Sequence, residues 1–175
     1  MSTRPFFSCT PARKNLNHEI DNETYAVVSF HPPAMDATQR PPLDLAVALD
    51  VSGSMSGGKL EAAKKSLLKL IEHLTDRDHL SVTAFTTNVD VTLPRVAMTA
   101  DNKRVAVERV KSLRALSSTN LSGGILTALG LLRESKDAVA GGIRRCMAFT
   151  DGQQNAGIVD PVALVGAVTE YRAGV

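Results

Sequence analysis

The chain has no tryptophan, only two tyrosines and five phenylalanines in 175 residues. Its paired basic residues, Arg13 and Lys14, Lys64 and Lys65, Arg144 and Arg145, are dispersed, with no aromatic residues interleaved. A nucleic-acid groove combines a basic track with stacking rings, so no nucleic acid is expected as a partner and each pair reads as a solvated face. Cysteine is as scarce. Cys9 lies in a polar leader and Cys146 inside a predicted strand, so a disulfide framework is excluded, and Cys146 reads as a small buried hydrophobe. His18, His31, His73 and His79 have no cysteine or acidic partner at zinc-site spacing. Nor is there a Gly-x-Ser-x-Gly elbow to turn a serine into a nucleophile. No apolar run is long enough for a membrane span, and Met1 to Lys14 lacks the apolar stretch of about 7 to 15 residues that a secretory signal needs. The expectation is a soluble, cytoplasmic chain with a mild net charge of +2 and no membrane partner.

What is present is an alternation of apolar runs and helical stripes. Residues 1–42 read as a leader, without periodicity over Met1 to Asn17 but with one strand at Thr24 to Phe30 and a proline-rich linker from His31 to Pro42. From Leu43 onward the order changes. Leu43 to Leu49 is an apolar run interrupted only by Asp44, as suits a parallel strand buried on both faces. Leu60, Ala63, Leu67, Ile71 and Leu74 recur at helical steps and predict a helix from about Gly58 to Leu74. Leu80 to Phe85 is a strand. Val89 to Val96 is a second one, joined to it by a short hairpin and demoted to an edge by Pro94. Helices are predicted over Asp101 to Leu113 and Leu121 to Glu134, a strand over Arg144 to Phe149, and a last helix opened by Asp160 and Pro161. The pattern predicts an α/β fold with an open, mostly parallel sheet wound on both faces by helices.

Three polar segments fall where apolar strands end or a helix begins. Asp50-Val51-Ser52-Gly53-Ser54 sets a carboxylate and two hydroxyls on alternate positions after the first buried strand. Leu116 to Gly124 offers Thr119 ahead of a helix, and Ala148-Phe149-Thr150-Asp151-Gly152 offers a second carboxylate. Oxygen ligands of this kind suit a small, hard divalent cation that keeps several waters. A loop outside the carboxyl end of a central strand is also where open α/β sheets bind ligands.

The pattern of Asp50, Ser52, Ser54, Thr119 and Asp151 resembles the metal-ion-dependent adhesion site of von Willebrand factor type A domains, over about Leu43 to Val175. The stretch Leu45 to Leu60 is most similar to domains of the inter-alpha-inhibitor heavy-chain type. The resemblance implies a Rossmann-like doubly wound fold, a cofactor cation (Mg²⁺, with Mn²⁺ or Ca²⁺ as alternatives) and no catalysis. It implies direct ligation by Ser52 and Ser54, ligation through water by Asp50, and direct ligation by Thr119 when a partner is engaged and by Asp151 at rest. The cation's open position would take a Glu or Asp carboxylate of a protein partner. The family's sheet normally continues with strand, helix and strand, so residues 43–175 read as a C-terminally incomplete domain. Its strand Arg144 to Phe149 is then expected to have a bare edge prone to self-association.

Two rival readings arise. Gly53 to Lys59 nearly spells a phosphate-binding loop, but Leu60 stands where the hydroxyl that holds Mg²⁺ beside a nucleotide belongs. A metal-independent scaffold that keeps the motif as a remnant is the other. Gly123-Gly124 reads as close backbone packing at a helix start.

Overall fold

The structure is a computed structural model that describes residues 6–11, 26–31, 40–116, 118–134, 141–152 and 154–172. The chain divides into two units, Met1–Arg40 and Pro41–Val175. In the first, β1 (Phe6–Pro11) pairs with β2 (Ala26–His31) in antiparallel register from Phe6↔His31 to Pro11↔Ala26. This corrects the reading of a leader with a single strand. The run from Phe6 to Thr10 has strand-forming residue types, and Pro11 sits at the last position, where it interrupts no central ladder. The two flanking prolines obscured that signal. Thr24 and Tyr25, placed in the predicted strand, lie outside the described residues, as does most of the proline-rich linker.

The second unit carries a four-stranded sheet in the order β5-β4-β3-β6. Its strands are β3 (Leu43–Asp50), β4 (His79–Phe85), β5 (Val89–Ala97) and β6 (Ile143–Phe149). β3 pairs in parallel with β4 and β6, while β4 and β5 form the expected antiparallel hairpin with β5 at the edge. The helices are α1 (Gly58–His73), α2 (Ala100–Ser112), α3 (Leu121–Arg133) and α4 (Pro161–Arg172).

The pleat sorts the β3 side chains onto two faces. Leu45, Val47 and Leu49, level with Leu80, Val82 and Ala84, meet the α1 stripe Leu60, Ala63, Leu67 and Ile71 together with Ala106 and Val110 of α2. Fully burying a side chain such as Leu67 or Ile71 contributes roughly 1.5 to 3 kcal/mol, so this face supplies most of the core. The opposite face is built of smaller groups. Ala46 and Ala48 pack with Phe85 against Ala128 and Leu132 of α3. A Cβ on Gly124 would come within 2.2 Å of the Phe85 ring, so glycine there lets α3 settle onto the sheet.

Polar residues close the rim at which β3 and β4 begin. Asp44, the lone charge in the apolar strand, accepts bonds from Arg95 Nε at 3.0 and 3.1 Å and lies 3.8 Å from Arg144. Asp78, fully buried, accepts from the Leu43 and Thr75 amides and from the Thr75 hydroxyl, joining the end of α1 to the starts of β3 and β4.

Two sequence readings are corrected here. Lys64 is not part of a solvated face: it is buried, and its ammonium donates to Glu61 and to the Leu113 carbonyl, an arrangement its long stem permits. Cys146 is only half-buried, because β6 lies at an edge of the sheet among the described residues.

Candidate metal centre

Parallel register sets the site. Asp50 lies level with Phe85, and Leu49 with Phe149, so the loops after β3, β4 and β6 leave the sheet along one rim. The loop after β3 turns at once into a 3₁₀ turn at Gly53–Met55, and Gly57, with φ of 74°, releases the chain into α1. A left-handed φ of this kind is costly for any residue with a Cβ.

The Asp50 carboxylate is fully buried. One oxygen accepts the Ser52 amide at 2.8 Å and the other the Thr150 hydroxyl at 2.7 Å. The Ser52 and Ser54 hydroxyls are 3.1 Å apart, and the Ser54 hydroxyl donates to Asp151 Oδ1 at 3.3 Å. Four of the five residues read from the sequence are therefore joined in one run of contacts. Thr119, also buried, reaches the same rim by backbone anchoring. The Leu116 amide donates to the Val51 carbonyl and the Asn120 amide to that of Thr86. Asn155 fixes Thr119 itself: its Oδ1 accepts the Thr119 amide at 2.8 Å, and the amides of Asn155 and Ala156 donate to the Thr119 carbonyl. Asn120 caps α3 through the Gly123 amide.

The sequence reading gave three further residues no role in this site. Thr150 holds Asp50, Asn155 holds Thr119, and Lys59 donates to Asp151 Oδ2 at 2.8 Å. Thr150 sits beside a motif position and was within reach of the sequence. Asn155, in a loop of mixed polar residues, carries no spacing signal.

The side chains fit a hard divalent cation. All five offer oxygen and none offers sulfur or nitrogen, which selects Mg²⁺, Mn²⁺ or Ca²⁺ over softer metals. Asp50 is a buried carboxylate whose two hydrogen-bond donors are both neutral. A charge in that position is costly without a compensating one nearby. No group of three or more His, Cys, Asp and Glu residues that could hold a metal ion occurs among the described residues, so a cation here would depend on the serine and threonine hydroxyls as well as the two carboxylates. Burial pushes the Cys146 thiol up to about 11, which leaves it protonated and unreactive at neutral pH.

The phosphate-loop arrangement is not formed. The Met55 and Ser56 amides donate to Ser52 and Gly53 carbonyls within the turn, and Leu60 is buried in the core.

Comparison with known proteins places this geometry in context. The family profile described as von Willebrand factor type A domain matches residues 45–154. The chain is 28% identical over 137 residues to human inter-alpha-trypsin inhibitor heavy chain H4, covering 76% of this chain and 15% of that protein. It is 39% identical over 89 residues to the Arabidopsis thaliana E3 ubiquitin-protein ligase WAVH1, covering 48% and 13%. The solved structure of a von Willebrand factor type A protein from Catenulispora acidiphila superposes with a TM-score of 0.65 at 23% identity, over 99% of this chain and 39% of that one. The chain thus spans a small part of the length of these curated relatives. Among the described residues no helix is long and apolar enough to cross a membrane.

Proposed function

The chain belongs to the von Willebrand factor type A domain family, and from that premise we propose that it is a Mg²⁺-dependent interaction module that binds an acidic side chain of a protein partner. The observation that carries this reading is the run of contacts from Asp50 through Ser52 and Ser54 to Asp151, with Thr119 pinned to the same rim. Ser52 and Ser54 would ligate the cation directly, Asp50 through water, and Thr119 and Asp151 according to whether a partner is engaged. When bound, the cation supplies a hard electrophilic centre with a coordination position that a carboxylate can take.

The chain's own residues prepare that event. Thr150 and the Ser52 amide hold the Asp50 carboxylate in one orientation, and Asn155 holds the Thr119 segment. The role proposed for this segment is binding. The ligase name belongs to a plant relative of which the matched segment is 13%. The test is binding to immobilised peptides that differ only as Glu or Gln, in Mg²⁺ and in EDTA. Mg²⁺-dependent binding confined to Glu peptides is expected, and binding that persists in EDTA contradicts the proposal.

A further inference from the structure

Lys59 is absent from the five-residue motif, yet its ammonium lies nearer to the Asp151 carboxylate than the Ser54 hydroxyl does. Its ammonium is 2.8 Å from Asp151 Oδ2, while the Ser54 hydroxyl takes Oδ1. The two carboxylates of the site are thus treated differently. Asp50 receives neutral donors only, whereas Asp151 is held by a positive charge from the start of α1. A cation that recruits Asp151 must compete with that charge, because one carboxylate oxygen already accepts a hydroxyl and the other an ammonium.

The side chain is also free to leave. It is 56% exposed, against 13% for Asp151. It lines a groove of about 380 Å³ with Ala62, Ser66 and Phe149, so the ammonium can swing away without disturbing the core.

We infer that Lys59 is an internal competitor for the site. In the cation-free protein it neutralises Asp151, and it sets the cation affinity by the work of its displacement. The inference rests on the proposed cation site and deepens it. Like-charge repulsion between the ammonium and the incoming cation acts in the same direction as the lost ion pair. Loading also leaves the displaced ammonium at the rim of the site, beside the position that an acidic partner would approach.

The experiment is calorimetric titration of Mg²⁺ into wild type, Lys59→Met, Lys59→Arg, and Asp151→Asn with and without Lys59→Met. Lys59→Met is expected to bind Mg²⁺ about fivefold more tightly, the factor expected for a partly exposed ion pair. Lys59→Arg should stay near wild type, and in the Asp151→Asn background Lys59→Met should have much less effect. Nitrogen-detected NMR supplies a readout independent of affinity: the Lys59 ammonium signal should shift on Mg²⁺ addition, toward its position in cation-free Asp151→Asn. Wild type that binds Mg²⁺ while Lys59→Met binds equally or less tightly overturns the role of Lys59 and leaves the site standing. No Mg²⁺ binding in either protein overturns the site itself.

Discussion

Residues at the α3 interface decide how near the site's helix can come to the sheet. A methyl on Gly124 would stand 2.2 Å from the Phe85 ring, and Phe85 is fully buried at the end of β4. Gly130, in the same helix, has open space where a methyl would stand. Gly124→Ala is therefore expected to destabilise the fold by about 1 to 3 kcal/mol through overpacking. Gly130→Ala should stabilise it by roughly 0.5 to 1 kcal/mol through reduced backbone freedom in the unfolded chain. Urea unfolding of the two variants checks the opposite signs. The sequence showed the glycine pair at the helix start, and the structure supplies what it packs against. The gathering of Asp50, Ser52, Ser54, Thr119 and Asp151 along one rim was legible as a candidate site, because spacing and strand ends mark them. Lys59 and Asn155 were not: their partners are 92 and 36 residues away, and no local pattern encodes such a pairing. Asp44 was visible as an exception in an apolar strand, but the arginines that answer it come from β5 and β6.

At the level of elements, helices with a one-sided apolar stripe were read nearly to the residue. The α1 stripe is buried at Leu60, Ala63, Leu67, Ile71 and Leu74 as the three- and four-residue steps require. α4 begins at Pro161 with the Asp160 carboxylate accepting the Ala163 amide, the cap and proline order the sequence implied. β1 was missed because a six-residue strand in a two-stranded sheet has little periodicity to show. β6 was placed correctly, but its apolar run suggested deeper burial than an edge allows. Cys146 reports that difference. Its thiol is raised from 9.0 to about 11 by burial, so the folded state resists forming the thiolate. The stability associated with the protonated thiol is complete below the unfolded value and is lost as pH rises from about 9 to about 11. Alkylation at pH 8 is expected to modify exposed Cys9 well before Cys146, with Cys146 reacting appreciably only toward pH 11. Equal rates at pH 8 would show that the edge strand opens readily.

For the molecule as a whole, the order of strands and helices pointed to the doubly wound class, since parallel strands joined through helices leave few arrangements. The family profile and the superposition bear out that class. The expectation of a cytoplasmic location had only the N-terminal residues to stand on, and neither the fold nor the relatives carry it. On the proposed function, the rim of the sheet binds a divalent cation in the folded state only. Scanning calorimetry of wild type and Asp50→Asn, each in EDTA and in excess Mg²⁺, tests it most directly. Binding to the native state alone should stabilise wild type by about 2.7 kcal/mol at a hundredfold excess over Kd, with little or no Mg²⁺-dependent change in Asp50→Asn. An unchanged transition in wild type, or an equal shift in both proteins, would contradict the account.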